Sequence, residues 1–103
     1  MPYIPVEQRG KFDEPADRIG EILNGLPENE LAGSLNYAMT RILWQLCGHG
    51  VGKRRYARMN AVIGAVECAK LEMYRRVVAL YEDEKIQSAG DVAPRTSSQP
   101  DRS

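Results

Sequence analysis

The sequence predicts an all-α protein, in which a short N-terminal helix precedes an antiparallel helical hairpin with a long C-terminal arm, assembled as an oligomeric bundle. The stretch from Tyr56 to Ile86 contains no proline and one internal glycine, Gly64, so nothing in it ends a helix. Leu35, Met39, Ile42 and Leu46 recur every three or four residues, the period of one helix face. At about 1.5 Å per residue the long stretch spans about 45 Å, more than the rest of a 103-residue chain can cover. Other copies of the chain are expected to cover it.

Residues 1–12 hold Pro2, Pro5 and Gly10 and read as an arm whose Tyr3, Ile4 and Val6 rest on the body or on a neighbour. A single helical domain is expected over 13–87. Its first helix takes Asp13 as cap with Glu14 and Pro15 in the first turn, where a missing amide donor costs little. Phe12, Ala16, Ile19, Ile22 and Leu23 form its apolar face. The segment NGLPENE, Asn24 to Glu30, breaks it.

The second helix runs to Cys47 from a cap at Asn29 or Ser34. Leu31, Ala38, Leu43 and Cys47 widen its stripe, so it wants partners on more than one side. Gly48 ends it and GHGVGKR reverses the chain, so that the third helix returns alongside the second. That helix carries a stripe of Tyr56, Met59, Ile63, Val66, Tyr74, Val77 and Tyr81, and a small-residue patch of Ala61, Gly64, Ala65 and Cys68 that would admit another helix closely. Glu72 pairs with Arg75 or Arg76 on an outer surface. Residues 88–103, rich in serine and proline, read as a flexible tail.

Fourteen basic residues balance fourteen acidic ones, so no global field draws the molecule to DNA or to an anionic membrane. DNA binding is further disfavoured because the third helix is too long for a recognition helix and its cations gather at one end. The N-terminus has neither the basic region nor the apolar core of a leader, and no run approaches the roughly 18 apolar residues of a membrane span. Cys47 and Cys68 lie in apolar-rich helical stretches without metal-ligand spacing, which fits buried, reduced thiols and a cytoplasmic protein.

The candidate ligand site is the turn between helices two and three. Lys53, Arg54, Arg55 and Arg58 cluster there with His49 among three glycines. Cations at a helix start oppose the helix dipole, and the arrangement makes sense if an anion sits on the free amides and guanidinium groups. Tyr56 and Tyr37 would stack on a base, with Arg41 reading a polar edge. The opposing reading is a solvated basic loop. The segment is no Walker A: Cys47 stands where its first glycine belongs, Arg54 follows Lys53, and a helix precedes it instead of a strand.

Asn36, Thr40, Asn60, Glu67 and Tyr74 form a second constellation, a polar network that would fix helix register or subunit pairing if buried. Catalytic and metal-ligating residues are not expected, and neither is a cofactor. Glu67 and Glu72 stand five apart, about 140° around a helix, and so do not converge on one ion. His49 is the sole histidine.

The opening MPYIP, the segment GSLNYAMTR from Gly33 to Arg41, and the stretch from Arg55 to Val92 resemble a group of small uncharacterised all-helical proteins found in bacteriophages, prophages and bacteria. The resemblance brings no established activity. It directs attention to Asn36, Tyr37, Arg41, Tyr56, Asn60, Glu67, Glu72, Tyr74, Arg75, Arg76, Tyr81, Glu82, Lys85 and Asp91, and it matches the glycine-punctuated loop least well. The expectation is a non-enzymatic homo-oligomer that binds or sequesters a nucleotide or other phosphorylated small molecule. The alternative is a structural or protein-interaction module, such as a phage accessory inhibitor of a host protein.

Overall fold

The computed structural model describes residues 3–48 and 55–93, and among these it is all-α, with three helices, a 3-10 turn and no strand. A 3-10 turn at Val6–Gln8 leads into α1, Gly10–Asn24, and then α2, Glu28–Cys47. The third helix is made of α3, Tyr56–Met73, a π-helical segment, Tyr74–Val78, and α4, Ala79–Ala89. Contacts divide the chain into two compact units, Met1–Val66 and Glu67–Ser103.

In the first unit α1 begins earlier than its expected cap. The Arg9 carbonyl accepts from the amides of Phe12 and Asp13 at 2.9 and 3.0 Å, so the helix starts at Gly10 and Pro15 falls inside it. Proline has no N–H, so the Lys11 carbonyl loses its helical partner. The arm is held by Arg9, whose Nε donates to the Ile4 carbonyl at 2.8 Å. Ile4 is half-buried, while Tyr3 and Val6 remain exposed.

α1 packs against α2. Ile19 and Leu23 of α1, Leu26 of the connection, and Leu31 and Ala38 of α2 are half-buried. The row Leu35, Met39, Ile42 and Leu46, which the periodicity places at the centre of a core, is exposed. Between α2 and α3, the Arg58 guanidinium donates from Nε to the Leu46 carbonyl. The two helices of the expected hairpin meet at that end through this bond and make no close backbone contact elsewhere among the described residues.

The second unit corrects the expectation of an unbroken α-helix. The Ala79 amide bonds to the Tyr74 carbonyl, five residues back, and such a turn takes one residue more than an α turn. Each added residue rotates the remainder of the helix by about 100°, so the apolar pattern before the π segment is not carried straight into α4. The helix ends at Gly90, whose amide bonds the Ile86 carbonyl at 2.9 Å and whose φ of 92° is the one positive value among the described residues.

No described residue is buried in either unit. Cys68, expected inside, is exposed, and Cys47 is half-covered with its thiol donating to the Leu43 carbonyl at 3.5 Å. Gly64 has open space where a Cβ would be, so among the described residues no helix uses the small-residue patch. No described helix is long and apolar enough to cross a membrane.

Candidate functional site

Of the ligand residues expected at the basic turn, Lys53 and Arg54 lie outside the described residues, as does His49. Tyr56 opens α3 with 80% of its surface exposed, and Arg55 beside it is exposed too. Arg58 holds the Leu46 carbonyl. That carbonyl is one of the last four of α2, which have no partner within the helix, so this guanidinium has a structural task.

Tyr37 and Arg41 stand one helical turn apart on α2, both exposed, with 67% of Tyr37 open to solvent. Trp44 continues their face at the next turn. Its indole lies over Gly48, where a Cβ would stand 2.3 Å from Cδ2; glycine is therefore required for this close approach. Apolar periodicity alone misses Trp44, which falls outside the stripe of α2. The spacing 37, 41, 44 on the opposite, polar face is the signal that finds it.

The expected polar network is not assembled as one internal cluster. In the first unit Thr40 Oγ1 donates to Asn36 Oδ1 at 3.2 Å, one turn back on the same exposed face, and Asn60 is exposed. In the second unit Glu67 pairs with Lys70 at 3.2 Å, and the Tyr74 hydroxyl donates to a carboxylate oxygen of Glu82. These groups are satisfied locally at the surface, where hydrogen bonds to water compete.

A groove of about 490 Å³ in the second unit gathers several of the side chains singled out in the sequence. Tyr74, Glu82, Lys85 and Ile86 line it along the helix, and Gly90 and Asp91 line it past the helix end. The Lys85 ammonium lies 5.4 Å from the centroid of the Tyr81 ring, within cation–π range. Asp91 Oδ1 accepts from the Ala93 amide at 3.4 Å, closing a turn just past the helix. Glycine at position 90 makes this possible, since its φ and ψ of 92° and 151° belong to a region that side chains strain to enter.

Tyr74, Glu82, Lys85 and Asp91 thus meet in one place, near the C-terminal limit of the described residues. A model of the domain of unknown function DUF6899 matches residues 1–92. The chain belongs to the DUF6899 family. No curated protein and no solved structure matches it. The DUF6899 match ends at Val92, immediately after Asp91 of the groove, and it spans the basic turn as well. Among the described residues no cluster of histidine, cysteine and carboxylate side chains is arranged to hold a metal.

Proposed function

We propose that this protein is a non-catalytic, homo-oligomeric helical module that acts through protein contacts, with copies of itself first. One observation carries the reading: no described residue is buried, while Leu35, Met39, Ile42 and Leu46 form an exposed row on α2. The row follows a 4-3-4 spacing, the seam by which helices of separate chains interdigitate. Tyr56, Met59 and Ile63 on α3 add further exposed apolar surface. A cytoplasmic phage or prophage protein that presents its assembled surface to a host partner fits this build.

Light scattering and native mass spectrometry of the full chain test the reading. More than one copy per particle is expected, and Ile42→Glu, which sets a charge in the middle of the row, is expected to lower the particle mass or weaken association. A stable, fully helical monomer at all concentrations defeats it.

A second reading, a phosphorylated ligand held between copies, draws on the exposed Tyr56 beside Arg55 and on the shared face of Tyr37 and Arg41. Calorimetry against linear and cyclic nucleotides tests it; absence of any binding tighter than about 100 µM, roughly −5.5 kcal/mol, removes it.

A further inference from the structure

At about 100° per residue, Leu35, Met39, Ile42 and Leu46 of α2 fall within about 60° of one another around the helix. All four are exposed, Ile42 at 48% and Leu46 at 37%. Leu31, Ser34 and Ala38 are half-buried and lie about 80° round from the centre of the row, so the packing of α1 on α2 leaves the row open. Glu28, the first residue of α2, is exposed. It stands seven residues before Leu35, about 20° off that residue's direction, and so continues the row as a negative charge at its N-terminal end.

We infer that the row pairs antiparallel with the same row of a second copy, about a two-fold axis level with the midpoint between Met39 and Ile42. This rests on the homo-oligomer reading and specifies its contact. Leu35 and Leu46 are equally far from that midpoint, as are Met39 and Ile42. Leu35 of one copy therefore meets Leu46 of the other, and Met39 meets Ile42, each pair twice by symmetry. Helix axes about 8–10 Å apart bring these side chains together. The two-fold axis sets both α1 helices on the same side of the seam, which completes a four-helix arrangement.

Charge selects the antiparallel direction. In a parallel pair Glu28 would face Glu28 across the seam, and like charges so placed destabilise it. In the antiparallel pair Glu28 passes the end of the other α2 and lies about 9 Å beyond the level of its Cys47. Arg58 stands at that end, with its Nε on the Leu46 carbonyl. A guanidinium has five donors, so this bond does not exhaust it. Arg55 lies one turn earlier. The carboxylate also meets the negative end of no helix in its own chain, while each α2 dipole is set against the opposite dipole of its partner. The anion that the basic turn calls for is then Glu28 of the second copy.

Disulfide trapping tests the register in the full chain. Leu35→Cys and Leu46→Cys are made separately in a background of Cys47→Ala and Cys68→Ala, one of them labelled with nitrogen-15, then mixed while reduced and mildly oxidised. The mixed disulfide is expected to dominate, and each variant alone should crosslink poorly, since the antiparallel pair sets the two copies of either cysteine about 16 Å apart along the seam. Glu28→Gln, read by sedimentation on dilution, is expected to weaken association about threefold to fivefold, the loss of two exposed ion pairs. Homodisulfides in place of mixed ones, no disulfide at all, or tighter association of Glu28→Gln overturns the antiparallel contact and leaves the oligomer reading standing. An unchanged dissociation constant for Glu28→Gln overturns the ion pair. A monomeric parent overturns the oligomer reading and this contact together.

Discussion

The Tyr74 hydroxyl donates to the Glu82 carboxylate across eight residues of one helix. In an unbroken α-helix those positions are about 80° apart around the axis. The extra residue of the π segment brings them to within about 20° of each other, so the bond and the widened turn support one another. Tyr74→Phe is expected to cost about 0.5–1 kcal/mol, below the usual range for a hydrogen bond to a charged group because both partners are exposed. Urea unfolding should show a lower midpoint at an unchanged slope, and Glu82→Gln should fall between parent and phenylalanine variant.

Gly90 closes the third helix with a backbone that suits no other residue. Gly90→Ala is expected to cost about 1–3 kcal/mol locally. The effect should show as faster amide exchange at Gly90's own position and in the last turn of α4, with slowly exchanging amides of α2 unchanged.

Pro15 lies six residues into α1, where it withholds a donor from the Lys11 carbonyl. Pro15→Ala restores that bond and is expected to stabilise the protein by about 1–3 kcal/mol, up to the full helix-interior penalty of proline. A higher thermal midpoint with added ellipticity at 222 nm is the measurement. An unchanged or lower midpoint would mean that the proline ring is itself a contact surface.

Trp44 is the only tryptophan in the chain, so its fluorescence reports on Gly48 directly. Gly48→Ala forces the indole off its seat; since 55% of that side chain is exposed, it has room to rotate, and the stability change should stay below about 1.5 kcal/mol. A red-shifted emission maximum is expected.

Helix existence was legible in the sequence because long proline-free periodic stretches leave a chain few other choices. The start at Tyr56 and the end at Cys47 were legible for the same reason, since glycines bracket the turn between them. The start of α1 was not: proline reads as a first-turn residue, and only the Arg9 carbonyl bonds show that the helix begins before it. The π segment was hidden too. Its Val77 and Val78 are compatible with either face, and the choice between them depends on contacts between Tyr74, Glu72, the two arginines and Glu82 that periodicity does not encode. At the basic turn charge alone singles out candidate residues, and charge does not distinguish a ligand contact from a cap. Arg58, expected as a ligand residue, is the clearest case, for its partner is a carbonyl twelve residues back.

That arginine has a consequence for the end of α2. A helix usually depends on its immediate C-terminal neighbours to quiet its final carbonyls, which restricts what those residues are allowed to be. Here a side chain from beyond the connection performs that service for Leu46. The last turn of α2 is thereby tied to a residue of α3, so Arg58→Ala is expected to loosen that turn. Faster amide exchange confined to that turn, with the amides of α1 unchanged, is the measurement that would show one distant side chain holding a helix end shut.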